Sequence, residues 1–254
     1  MLVDIVIHGD LLCPWCFLQK KSLEDAMERY QALHPEVQFD VRWKPFLLYP
    51  TLRRGWCFSV FSLGNIWISC PHLECLSWAL SSPAYTSVNT QAIGDKRTLY
   101  EKIMSPEKLR LFTSRLQTAG ARHGVSFSVT GTTGPSQPAQ RLLTLALSAR
   151  GPSVQTAVLD ALFRGHFERG FDIADEEWLV AVGRSVGGLD EAAVRAALRS
   201  EDAGKALEDE VRSAAVGGVE AVPCVTVQGR FRVGGYQESD IFEGLFDKIR
   251  RESR

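Results

Sequence analysis

The chain has 254 residues, with 29 Lys and Arg against 30 Asp and Glu and a hydrophobic share of 45%. Such a balance describes an ordinary globular protein of one large or two modest domains, and it leaves no broad electrostatic footprint for nucleic acid or an anionic membrane. The N-terminal apolar run spans only about six residues, is broken by Asp4 and lacks a basic flank, which argues against a secretory signal and makes a reducing, cytoplasmic compartment the expectation.

Residues 3–8, rich in Val and Ile, predict a buried strand, and apolar residues at helical spacing predict a helix over about 14–33. Between them stands Cys13-Pro14-Trp15-Cys16. If Cys13 caps the helix and Cys16 lies one turn in, the sulfurs can reach bonding distance with little backbone movement. Pro14 suits the first helical position, where its missing N–H would have no partner anyway. The positive end of the helix favours a thiolate on Cys13, the expected attacking sulfur, and leaves Cys16 as the more buried resolving thiol. A CxxC at a strand-to-helix junction predicts a thioredoxin-like redox motif. Half of a zinc site and two ordinary core cysteines are the alternatives.

Residues 37–43 alternate apolar and polar side chains and predict a second strand, so the opening is a βαβ unit with a parallel pair and a right-handed crossover. The character then changes. Residues 55–94 carry one charged residue, Glu74, yet hold three of the six tryptophans and three of the six cysteines (Cys57, Cys70 and Cys75). The uncharged run over 55–73 is long enough to raise a membrane span, but Ser59, Ser62, Asn65, Ser69, Pro71 and His72 break it. Cys70, His72 and Cys75 match no standard zinc spacing. We take this stretch for a late insertion that does no chemistry.

From Asp95 the pattern is helical. Ser105-Pro106-Glu107 opens one helix, and Asp175 and Asp190 cap two others. Amphipathic segments are expected at about 138–150, 154–169, 176–187, 191–199 and 202–215, after a turn-rich loop over 131–138. His123 falls where its helix is expected to fray and is read as a surface histidine. The last forty or so residues return to β, with a strand over 222–227 led by Pro223, a turn at Gln228-Gly229, a strand over 231–233 and a closing helix over 240–249.

The arrangement resembles the DsbA-like thioredoxin-fold family, in its cytosolic FrnE-like branch of polyketide-synthesis-type oxidoreductases. The resemblance rests on Cys13-Pro14-Trp15-Cys16-Phe17, on Pro45-Phe46-Leu47-Leu48, on residues 163–173 and on Gly218-Val219-Glu220-Ala221-Val222-Pro223. It implies an α/β fold: a thioredoxin fold (βαβ plus ββα) with a large all-helical domain inserted between the two halves. Residues 1–52 and 216–254 would form the thioredoxin domain, 53–94 the uncharged insertion and 95–215 the helical domain. It also implies Cys13 as nucleophile, Cys16 as resolving thiol and Pro223 as a cis-proline beside them, with Pro14, Trp15 and Val222 meeting the substrate. A cis bond would leave the Val222 backbone free to pair with an incoming strand. No resident cofactor or metal is implied; glutathione is the candidate redox partner, and the substrate a disulfide- or thiol-containing peptide or small molecule.

One departure is Gln140, where the family usually has histidine after alanine; glutamine hydrogen-bonds but does not titrate. Another is Cys224, an extra thiol read by default as a small buried hydrophobe, with a third redox sulfur as the sharper alternative. A glutathione-dependent isomerase or transferase of the same fold, which typically has serine in place of Cys13, and a non-catalytic, chaperone-like peptide binder remain as rival readings. A product disabled by the insertion is a third.

Overall fold

In the computed structural model of this chain, strand β1 (Leu2–Gly9), helix α1 (Pro14–Leu33) and strand β2 (Gln38–Pro45) form the expected βαβ unit. β1 and β2 run parallel from the Leu2–Gln38 pair to the Gly9–Pro45 pair. The structure describes residues 1–50 and 94–252, and between them only the backbone of four short strands: β3 (Phe58–Ser59), β4 (Phe61–Leu63), β5 (Ile66–Ile68) and β6 (Ser87–Val88). The insertion expected over 53–94, with its Cys70, His72 and Cys75, therefore lies almost wholly outside the described residues.

Among the described residues eight helices then follow. They are α2 (Lys96–Ile103), α3 (Pro106–Arg122), α4 (Gln137–Arg150), α5 (Pro152–Phe167), α6 (Glu176–Ser185), α7 (Glu191–Arg199), α8 (Glu201–Val216) and, after the β hairpin, α9 (Ser239–Glu252). The expected caps Ser105, Asp175 and Asp190 each accept a backbone amide of the first turn, Asp95 and Ser200 do the same for α2 and α8 without having been singled out, and Pro106 begins α3. β7 (Cys224–Val227) and β8 (Phe231–Gly234) complete one mixed sheet in the order β2-β1-β7-β8. β7 is antiparallel to β1, pairing Val227 with Ile5 and Cys224 with His8. The strand expected to start at Val222 starts two residues later, because Pro223 has no N–H to give to a ladder. The fold thus has the expected βαβ and ββα halves, with a sheet built from both chain ends and a helical block between them.

Alternation along β1 puts Val3, Ile5 and Ile7 on the face covered by α1 and α9, where they meet Phe17, Leu23, Phe242 and Phe246. The helical block joins this core through aromatic contacts. Phe17 of α1 stacks on Phe163 of α5, with centroids 5.1 Å apart, and Trp43 of β2 meets Phe163 edge-on at 6.2 Å. Lys20 and Lys21 of α1 pair with Asp160 of α5, and the three cationic groups around it, counting Arg164, hold the Asp160 carboxyl well below the usual carboxylate range against its burial.

β2 is an edge strand, and at Trp43 its outer side is closed by a side chain. Gln155 of α5 accepts from the Trp43 N–H at 2.9 Å and donates to the Trp43 C=O at 2.9 Å and to Leu143 O at 3.3 Å. Its amide does what a neighbouring strand would do, so the buried backbone there has partners. Among the described residues no helix is long and apolar enough to cross a membrane.

Candidate active site

Cys13 has extended backbone angles (φ −94°, ψ 108°) and is the N-cap of α1, with Pro14 at the first helical position. Its N–H donates to Asp10 O and its own carbonyl accepts from the Cys16 N–H, both at 3.0 Å. This tight turn brings the two cysteines to 3.5 Å as free thiols. Cys16 is fully buried against the end of β1. A Cβ at Gly9 would stand 2.9 Å from Trp43 Cζ3 and 3.4 Å from Cys16 Sγ, so glycine is what lets the indole lie against the strand beside the thiol. Burial, followed by the neighbouring Cys13 sulfur, pushes the Cys16 thiol well up.

The far end of the chain arrives at the same place. The Val222–Pro223 peptide bond is cis, and the Val222 carbonyl accepts from Cys13 Sγ at 3.9 Å, across 209 residues of sequence. The structure therefore brings Cys13, Cys16, Val222 and Pro223 together, with Pro14 forming the first turn between the thiols. Trp15 is half-buried. It packs with Leu18, Leu116 and Ala119, edge-on to Phe112 of α3 and 5.7 Å from the ring of Tyr236.

Several neighbours were not singled out by sequence. Asp10 is fully buried beneath the motif. Its two carboxylate oxygens accept from the Leu12 N–H (3.1 Å) and the Leu48 N–H (2.6 Å), while burial pushes its pKa up. It ties the loop before the thiols to the segment after β2. An aspartate three residues before a CxxC was a signal of sorts, but nothing in the sequence places Leu48 over it. Burial comes first in raising the Tyr49 and Tyr100 phenols, Tyr49 to about 12, with Asp10 and Cys13 adding to Tyr49 and Tyr49 and Cys13 to Tyr100. Tyr100 lies on α2, at the start of the helical block.

Gln140 is buried and donates to Gly9 O (3.0 Å) and Phe46 O (3.2 Å), binding the ends of β1 and β2 together. Cys224 alternates with Val225, which faces the main core, so its side chain lies on the opposite face of the sheet, against Ala214, Val219 and Phe46. Burial raises its thiol as well. His123 is not a surface residue. Its side chain is 5% exposed and both ring nitrogens are engaged, because Gly124 (φ +64°) ends α3 in a capped turn instead of a frayed one. Among the described residues no group of three or more His, Cys, Asp and Glu side chains is placed to hold a metal ion.

A family model, the DSBA-like thioredoxin domain, matches residues 86–247, the helical block and the C-terminal half of the sheet. A probable DsbA oxidoreductase from Streptomyces coelicolor superposes with a TM-score of 0.70 at 22% identity, over 97% of this chain and 89% of that one. A 2-hydroxychromene-2-carboxylate isomerase gives 0.63 at 16%, over 100% and 98%. The cytosolic disulfide reductase DsbM from Pseudomonas aeruginosa, solved with GSH, gives 0.57 at 15%, over 98% and 99%. No curated protein matches in sequence. At these identities the solved structures speak for the fold.

Proposed function

The chain belongs to the DSBA-like thioredoxin domain family, and from that premise we propose that it is a thiol–disulfide oxidoreductase working through Cys13 and Cys16. The observation that carries the reading is the meeting of three things at one point: a cysteine at the N-cap of α1, a second thiol 3.5 Å away, and the carbonyl before a cis-proline on the first sulfur. Cys13, as thiolate, attacks one sulfur of a substrate disulfide and expels the other as a thiolate, which takes a proton from solvent. Cys16 then loses its proton and attacks Cys13 Sγ, closing the intramolecular disulfide and releasing the second substrate thiolate. Two electrons pass from the pair to the substrate, and the reverse sequence oxidises a dithiol.

Cys16 is fully buried and that burial pushes its thiol up, so Cys13, at the helix N-terminus, takes the attacking role. Pro14 and Trp15 flank the attacked sulfur. The Val222 backbone is the edge available to an extended peptide, in the manner of strand addition. Glutathione is the candidate redox partner, and no resident cofactor is needed for the exchange.

The test is equilibration in glutathione redox buffers with thiol trapping and mass spectrometry. A reversible Cys13–Cys16 disulfide, abolished by Cys13→Ser, is the expected result. A folded protein that forms no such disulfide at any ratio refutes the proposal. The second reading is a glutathione-dependent isomerase or transferase on this fold, favoured by the likeness to 2-hydroxychromene-2-carboxylate isomerase and to a reductase solved with GSH. It predicts turnover that survives Cys16→Ser, whereas exchange by the pair stalls at the mixed disulfide.

A further inference from the structure

Trp15 stands between the two cysteines in sequence, and in space its indole lies between rings from opposite halves of the molecule. Phe112 of α3 is 6.5 Å away, edge-on, and Tyr236, just after β8, is 5.7 Å away with the planes tilted by 40°. Tyr236 is in turn held by His123. The imidazole places Nδ1 2.7 Å from Asp25 Oδ2 on α1, and Nε2 3.0 Å from the Tyr236 hydroxyl. An ionised carboxylate only accepts, so Nδ1 carries a proton and donates it to Asp25. One buried side chain thus ties α1, the end of α3 and the segment after β8.

The backbone is built to present it. His123 is the C-cap of α3; the Val125 N–H returns to Gly120 O at 2.9 Å and the Gly124 N–H to Ala121 O at 3.5 Å. These are the two bonds of a Schellman turn, and Gly124 takes the left-handed conformation that the turn needs. A Cβ at Gly120 would meet Val125 O at 2.6 Å, so the doubling-back is close. Beyond the tyrosine, Glu238 adjoins its hydroxyl and pairs with Arg122, which fastens the same corner again. His123 touches neither sulfur nor Asp10 among these contacts; its route to the motif runs through Tyr236.

We propose that His123 is a positioning residue for the redox motif: acting through Tyr236, it sets where Trp15 lies, and so the rim that a disulfide substrate meets beside Cys13. The proposal rests on the thiol–disulfide reading above. It is tested with pre-reduced protein and a quenched, disulfide-linked fluorogenic peptide, in single turnovers that give a half-saturation concentration and a limiting rate. The variants are His123→Ala and Tyr236→Phe, each alone and with Trp15→Phe.

His123→Ala is expected to raise half-saturation about five- to tenfold, with the limiting rate within about twofold and the midpoint of the pair in glutathione buffers unchanged. Tyr236→Phe, which deletes one oxygen and is the milder change for folding, moves half-saturation the same way by about threefold. In the Trp15→Phe background both effects shrink to less than about twofold, since the residue through which they act is gone. The emission attributable to Trp15, taken as the difference from Trp15→Phe, shifts to the red in His123→Ala. Unchanged half-saturation with only a lower melting temperature, or an effect undiminished in the Trp15→Phe background, overturns the proposal. If the wild-type pair does not cycle at all, it is the oxidoreductase reading that fails, and the Trp15 emission alone then decides whether His123 positions the indole.

Discussion

Replacing Asp10 by asparagine asks what a buried carboxylate does beneath a thiol pair. In the wild type both oxygens accept backbone amides, from Leu12 at 3.1 Å and Leu48 at 2.6 Å. An asparagine can keep one acceptance, but its NH2 group then faces the other amide, donor against donor. A buried donor left without a partner costs about 1–3 kcal/mol. The carboxylate's own burial, which raises its pKa, is relieved at the same time and offsets part of the loss. The expected net destabilisation is about 1–2 kcal/mol at pH 7, read as a lower midpoint in urea at constant slope.

The sign with pH follows from that raised pKa. The folded protein holds the Asp10 proton more tightly than the unfolded chain does, so the wild type loses stability as pH climbs from the unfolded value near 4 through the folded one. Asp10→Asn lacks this dependence. The variant also acts on the thiols, because the Asp10 charge is one of the causes holding Cys16 up, behind burial and Cys13. Removing it lowers the Cys16 pKa, measurable in a Cys13→Ser background by the pH dependence of alkylation of the Cys16 peptide, followed by mass spectrometry. A variant as stable as wild type at pH 7, with Cys16 titrating at the same pH or higher, refutes this account.

Gln155→Ala strips the edge strand of its surrogate neighbour and leaves the Trp43 N–H and C=O without partners; a loss of about 2–4 kcal/mol in urea unfolding and faster exchange of the Trp43 amide are expected, and an unprotected Trp43 amide in the wild type would contradict the arrangement. Asp160→Asn removes the common partner of Lys20, Lys21 and Arg164; Lys20 is nearly buried but keeps Glu24, so the expected loss is about 2–3 kcal/mol at pH 7. Because the folded pKa of Asp160 is depressed, its contribution is present above the unfolded value near 4 and vanishes as pH falls below it, so the variant and wild type should converge in acid. Burial, with Lys96 adding, lowers the His166 pKa to about 3. The unfolded chain therefore takes up this proton first as pH falls through about 6.5, stability declines from there towards pH 3 by up to about 1.4 kcal/mol per pH unit, and a melting temperature flat across pH 6.5–4 would count against the burial of that imidazole.

The sequence by itself determined the βαβ opening, the β-hairpin and helix that close the chain, and the helices between them. Local chemistry wrote these features: period-two alternation in 37–43, Pro14 behind Cys13, Ser105 and Pro106 at the head of α3, and aspartates in front of α6 and α7 all act within one turn of the chain. The CxxC spacing already allowed the two sulfurs to come close once Cys13 capped the helix. Only tertiary structure decided what surrounds them, since those partners are set by packing over long sequence distances that no short-range pattern encodes. Val222 reaches Cys13 over 209 residues, and Leu48 reaches Asp10 over 38. The same holds for His123, 98 residues from Asp25 and 113 from Tyr236. From the sequence a polar ring near a helix end reads as solvated; burial and two fixed partners exist only once α1, α3 and the segment after β8 have met.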